Sequence, residues 1–306
     1  TFDMSLRIIS NTNFNFLQQK RKALLISGLI ILLSFFSFLT HGLNYGIDFS
    51  SGYIVQLEFN KDVKIERIKE SFAENSVDNP IIQYYGNQKE VIIKLQESNT
   101  YNQNNINNFL STVFENYDYK IQKLDFVGSQ IGSELRTKGE WAMLVAIISI
   151  LVYIGFRFEF LYGIGAILAL IHDVLITVGI FSLLQLQFDL SVLSALLAVI
   201  GYSLNDTIVV YDRIRENANL MHADNPENIL NKSINQTLSR TLITSLTTLF
   251  VLFSLLLFGG IAVEYFSIAM IIGVLVGTFS SIYIAGASLF FLKVLEKKEE
   301  NQQLSD

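Results

Sequence analysis

The sequence predicts a membrane α-helical protein with six transmembrane helices and one α+β, ferredoxin-like extracytoplasmic domain. Three observations predict this. The 306 residues are 51% hydrophobic and only 16% charged, with a mean hydropathy of +0.40. A soluble domain carries about 25% charged residues. The apolar residues also fall into six blocks with the charges between them, and the single long polar stretch, residues 42–139, reads as alternating strands and helices.

A helix crossing the hydrocarbon core needs about 17–25 largely apolar residues. The first block is 23–39, headed by Lys20, Arg21 and Lys22. No small-residue cleavage site follows it and further apolar blocks come later, so it reads as an uncleaved span and not as a signal peptide. The remaining blocks are 141–156, 161–184, 190–211, 241–258 and 265–292. The last is long enough to tilt or to extend beyond the bilayer.

Lys and Arg in short connections orient such a chain. One set of flanks holds Lys20, Arg21, Lys22, Arg157, Arg213, Arg215, Lys232, Lys293, Lys297 and Lys298, and the opposite loops, 185–189 and 259–264, hold none. Both termini are therefore expected in the cytoplasm. The chain divides into an N-terminal cytoplasmic segment (1–22), a first transmembrane helix (23–41), a periplasmic domain (42–139), transmembrane helices two to six (140–292) and a cytoplasmic tail (293–306).

Within 42–139, residues 53–59 alternate apolar and polar as a half-buried strand does. Ile65, Ile68 and Phe72 set a helix over 64–74. Strands are expected at 81–85 and 91–95 around a turn at 86–88, a helix at 101–115 and a last strand at 119–127. The order βαββαβ is that of a split βαβ unit. It contains no nucleophile–base pair, phosphate loop or metal cluster, so a binding or mechanical element is expected and an enzyme is not. The chain has no cysteine, which excludes disulfides and thiolate catalysis. Three histidines, His41, His172 and His222, are too few for an all-histidine metal centre. The net charge of −6 and the lack of a basic stripe argue against nucleic acid as a partner.

Ionisable residues inside spans are the informative ones, since a charge at bilayer depth costs from a few to more than ten kcal/mol. His172 and Asp173 lie near the middle of the third span, and Asn205 and Asp206 toward one end of the fourth. The basic partners in reach are Arg213, two turns beyond Asp206, and Arg240 at the start of the fifth span. That span also carries Thr237, Thr241, Thr244, Ser245, Thr247 and Thr248, a hydroxyl face expected to look into the bundle with Arg240. An Asp that approaches and leaves an Arg can release a proton on one side and take one up on the other. The competing reading is a static Asp206–Arg240 ion pair. Asp173 reads equally as a second polar site with His172 or as a packing hydrogen bond. Arg157, Arg213, Arg215 and Glu216 read as anchors at the headgroups, and Gly273 with Gly277 forms a helix-packing G-x-x-x-G.

At this point the sequence resembles a known family. Residues 201–217, reading G-Y-S-L-N-D-T-I-V-V-Y-D-R-I-R-E-N, resemble the fourth-span signature of SecF proteins, carrying Gly201, Asn205, Asp206, Arg213 and Glu216. Residues 46–52 resemble the family's G-I-D-F-x-G-G motif through Gly46, Asp48 and Gly52, with Ser51 in place of the first glycine of the pair. Residues 127–135 resemble V-G-P-x-V-G-x-E-L, with Ser129 where proline is usual. Residues 170–174 and 239–248 complete the set.

The resemblance implies half of a pseudosymmetric bundle of the RND superfamily, paired with SecD in the bacterial inner membrane. It implies association with the SecYEG channel and YajC, and use of the proton-motive force to help complete the export of a translocating polypeptide. By position it makes Asp206 and Arg240, with Asn205 beside them, proton-relay residues. No cofactor, metal or catalytic residue is implied; the coupling ion is a proton, with sodium as the alternative. Three rivals are set against this reading: a half-size RND-type small-molecule exporter, a structural subunit that stabilises SecD and the channel, and an intramembrane aspartyl protease. The last needs two carboxylates about 3 Å apart, whereas Asp173 and Asp206 are expected at depths differing by about 10 Å.

Overall fold

The computed structural model describes residues 13–77, 80–98, 101–102, 104–158, 160–221 and 224–291. The expected tail 293–306, with Lys293, Lys297 and Lys298, lies outside these residues, as do His222 and the first twelve positions. Among the described residues, six helices are long and apolar enough to cross a membrane.

The first is α1 (Lys20–His41), ended by Gly42, whose φ of 67° no side chain adopts readily and whose N–H closes on Phe38 O at 3.0 Å. A two-residue strand, β1 (Asn44–Tyr45), leads into the domain: β2 (Gly52–Phe59), α2 (Ile65–Glu74), β3 (Ile81–Tyr85), β4 (Asn87–Gln96), α3 (Ile106–Val113) and β5 (Tyr119–Val127). The sheet order is β3-β4-β2-β5 with every pair antiparallel. This is the ferredoxin-like arrangement expected from the element order. Tyr53, Val55, Leu57 and Phe59 of the central strand bury one face against Ile68 and Phe72 of α2 and Ile106, Leu110 and Val113 of α3.

Two boundaries in the domain differ from expectation. The helix foreseen at 101–115 is confined to Ile106–Val113, because the Asn102 and Asn105 side chains accept the backbone N–H groups of Asn104 and Asn102 and hold a turn before it. Tyr101 instead stacks on Phe109, with ring centroids 4.8 Å apart. The turn foreseen at 86–88 is reduced to Gly86 at φ 81°, with β4 starting at Asn87.

The remaining spans are α4 (Ser129–Arg157), α5 (Phe160–Leu183), α6 (Leu190–Leu220), α7 (Pro226–Phe258) and α8 (Glu264–Ser280). The last span is not one regular helix. A π turn at Ser281–Ala285 joins α8 to α9 (Gly286–Phe291). Helix α4 begins twelve residues before the apolar block at 141. Its leading turns are polar, and the ion pairs Lys138–Glu134 at 2.7 Å and Arg136–Glu140 at 3.2 Å run along them. Likewise α7 starts at Pro226, capped by Asn225, fifteen residues ahead of its apolar block. Its leading half packs on the end of α6, where Asn217 donates to Ser233 Oγ and Gln236 Oε1, both at 2.8 Å.

Small residues set the close helix approaches. A Cβ at Gly179 would collide with Ser34 of α1, one at Gly273 with Val199 of α6, and one at Gly277 would press on Ser203. The foreseen G-x-x-x-G thus packs α8 on α6. The outward faces of α1, α4 and α7 are large and apolar, with Leu25, Phe36, Trp141, Val145, Phe250 and Leu257 among the exposed side chains.

Candidate intramembrane site and domain joint

Asp206 sits on the buried side of α6 at 3% exposure, and its Oδ2 has no hydrogen-bond partner among the described residues. The hydroxyls of Thr207, next to it, and of Thr241 on α7 are equally buried and also without a partner among the described residues. Arg240 lies on an exposed face of α7, and no nitrogen–oxygen approach of 4 Å or less joins it to Asp206 among the described residues. No close ion-pair contact therefore joins the two side chains. Arg213 is not the partner either: it pairs with Glu216 at 2.6 Å on the surface of its own helix, and Arg157 pairs with Asp212 at 3.2 Å. Asn205 and Gly201, four residues apart, are exposed on α6.

The hydroxyl face of the fifth span divides. Thr237, Thr244, Thr247 and Thr248 return their hydrogens to carbonyls of their own helix, and Thr247 is exposed like Arg240. Ser245 reaches across, to Thr278 Oγ1 at 2.7 Å and to the Tyr202 hydroxyl at 3.3 Å. The expectation that the whole face looks inward is thus corrected. Threonine hydroxyls in a helix can satisfy themselves locally, so they do not have to turn toward a neighbour.

Asp173 is fully buried, and its carboxylate is the hub of a second network. Oδ2 accepts from Ser203 Oγ of α6 at 2.5 Å and from Ser280 Oγ of α8 at 2.8 Å, and Oδ1 accepts from His172 Nδ1 at 2.9 Å. The other ring nitrogen, Nε2, shares a hydrogen bond of 2.6 Å with the Ser27 hydroxyl of α1. Four helices therefore meet at one carboxylate–imidazole pair. The three serines were not foreseen. A serine in an apolar span is the signal, but it is weak because hydroxyls are common in such helices.

The G-I-D-F motif forms the joint between domain and bundle. β1 pairs in parallel with β6 (Gln187–Phe188), the link between α5 and α6. Gly46 donates its N–H to Phe188 O at 2.8 Å, and a Cβ at Gly46 would lie 2.8 Å from Gln187 Nε2 and 2.9 Å from Asp189 Cβ. Asp48 Oδ2 accepts the N–H of Leu190, the first residue of α6, at 3.2 Å. Gly52 lies against the Leu95 carbonyl of β4, and Gly132 of α4 against the backbone of Phe49 and Ser50. Among the described residues no group of three or more His, Cys, Asp or Glu could hold a metal ion.

A six-span bundle with a ferredoxin-like domain after the first span, and with acidic groups buried among its helices, defines a multi-pass membrane protein. Residues 106–295 match the family model for the C-terminal part of the protein export membrane proteins SecD/SecF, and residues 36–63 match the SecD/SecF GG motif. Translocase subunit SecF of Calditerrivibrio nitroreducens is 43% identical over 300 residues, covering 96% of this chain and 99% of that protein. SecF of Haemophilus influenzae is 39% identical, covering 88% and 83%. The crystal structure of SecDF from Thermus thermophilus superposes with a TM-score of 0.79 at 36% identity, and a SecDF structure in the super-membrane-facing form with 0.72 at 34%. These cover 92% and 96% of this chain, which spans 39% and 40% of the two longer chains. The chain belongs to the SecF family.

Proposed function

We propose that this chain is the SecF-type subunit of a protein translocase. It pairs with SecD in the bacterial inner membrane, with both termini in the cytoplasm and residues 42–139 in the periplasm. With SecD it uses the proton-motive force to assist late-stage passage of a polypeptide through the SecYEG channel, with YajC as an associate. The observation that carries this reading is Asp206, a buried carboxylate with an unpartnered oxygen, beside a helix whose Arg240 is exposed and unpaired with it. An acidic group that is not locked in an ion pair is free to change its proton. One charge moving through 100 mV supplies about 2.3 kcal/mol, so a few protons per cycle are enough for modest domain motions. The SecD helices would complete the relay against the exposed residues Gly201, Asn205 and Arg240, so the chain alone transports nothing.

The test is Asp206→Asn, with gradient-driven export measured in vesicles containing the whole complex and SecD binding checked by pull-down. Export is expected to fall to the level without a gradient while assembly survives. Unchanged export would leave this chain a structural subunit. Gradient-driven efflux of a small molecule without any effect on polypeptide export would favour the exporter reading.

A further inference from the structure

The joint between the domain and the bundle ends on the helix that carries Asp206. Helix α6 begins with its own cap: Asp189 Oδ1 accepts from Ser191 N at 3.0 Å and Val192 N at 3.1 Å. That leaves Leu190 N–H, the first donor of the helix, without an acceptor from its own cap. Asp48 supplies the acceptor from 142 residues earlier. Around that bond the chain segments run side by side. Asn44 Nδ2 donates to Gln185 O at 2.9 Å, Asn44 and Tyr45 pair with Gln187 and Phe188, and Gly46 N–H closes on Phe188 O. The Arg136 guanidinium lies over the Tyr45 ring at 4.7 Å, which ties α4 to the same place.

On the domain side this segment runs directly into β2, the central strand of the sheet. Ile47 packs at Gly52, where the strand begins. On the bundle side, Asp206 lies sixteen residues beyond Leu190 in one uninterrupted helix, about 24 Å along its axis. A regular helix carries a displacement of its first turn along its length, so the strand, the joint and the carboxylate form one mechanical line.

We propose that Asp48 is the positioning residue that couples movement of the domain to α6, and so to the protonation state of Asp206. This rests on Asp206 being the coupling carboxylate. Asp48 touches neither the proton path nor the polypeptide. It acts by holding the first turn of α6 to the base of β2.

The test compares Asp48→Ala, Asp48→Asn and Asp206→Asn in vesicles containing the whole complex. Proton entry, read by a pH-sensitive dye inside the vesicles, is measured alongside polypeptide export. Asp48→Ala removes the acceptor. It is expected to keep proton entry within about twofold of the parent while export falls at least fivefold, a loss of coupling that a general loss of structure does not produce. Asp48→Asn retains an oxygen for Leu190 N–H and is expected to keep export within about twofold. Normal export in Asp48→Ala overturns the proposal. So does equal loss of proton entry and export, since Asp48 would then merely support the helix. Asp48→Asn, assembled yet as inactive as Asp48→Ala, overturns the hydrogen-bond basis. Asp206→Asn separates the two ideas: if it leaves both quantities unchanged, the relay reading fails whatever Asp48 does.

Discussion

The Ser203 hydroxyl donates to Asp173 Oδ2 at 2.5 Å from a position one helical turn before Asp206 on α6. The two intramembrane aspartates are thus served by the same stretch of one helix, yet their surroundings are opposite. Among the described residues Asp173 has three donors from three helices, while an oxygen of Asp206 has none.

Asp173→Ala is expected to be a stability mutation. It leaves Ser203, Ser280 and His172 around a missing acceptor, and a buried donor left without a partner costs about 1–3 kcal/mol. Asp173→Asn keeps an acceptor oxygen and should lose about 1–2 kcal/mol. Thermal unfolding of the purified protein in detergent, followed by its single tryptophan Trp141, reads the difference. Equal melting of the alanine variant and the parent would show that the network holds nothing together.

Gly273 marks where α8 touches Val199 of α6. Gly273→Ala inserts a methyl group into that contact, and overpacking of this size costs about 1–3 kcal/mol. Val199→Ala in the same chain makes room for it. The double variant is expected to recover more than half of the loss, a coupling measured by a double-mutant cycle. Additive losses would mean that the two residues do not share the contact.

Tyr53 and Tyr101 give the domain an alkaline limit. Burial raises the Tyr53 phenol above its ordinary value of 10.0, with the charge of Glu97 adding to the shift. Burial raises Tyr101 as well, with Tyr53 adding to it. For a phenol whose folded pKa is raised, the stability is intact below the unfolded value. It is lost as pH rises from about 10 through the folded value, because the unfolded chain releases the proton first. The Tyr53 hydroxyl has no hydrogen-bond partner among the described residues. Tyr53→Phe should therefore change stability at neutral pH by less than about 0.5 kcal/mol and move the alkaline loss to higher pH. Circular dichroism across pH 9–12 checks both parts; an unmoved alkaline transition would remove Tyr53 from the account.

Much of this architecture is legible in the order of the amino acids. The six blocks mark the spans because hydrocarbon admits few charges, and the alternation in residues 53–59 marks the central strand because one face of it is buried. Asp206 and Asp173 stand out for the same reason, being charges inside apolar blocks. The leading turns of α4 and α7 escape notice because they are polar helix held by ion pairs, caps and tertiary packing, which a search for apolar runs does not register. The two-residue β1–β6 ladder is too short to have a period.

Burial and backbone preference act residue by residue, so the chain's own order of amino acids sets the number of spans, the place of the domain, the order of its elements and its family motifs. Which polar groups meet is a matter of packing in three dimensions. Ser27 and His172 are 145 residues apart and Asp48 and Leu190 are 142 apart, whereas Asp206 and Arg240, on consecutive helices, make no ion-pair contact among the described residues. Such meetings depend on the rotation and spacing of packed helices to within an ångström. That is set by all the side chains at the contacts together, and by glycines such as Gly273 and Gly277 that let the helices close.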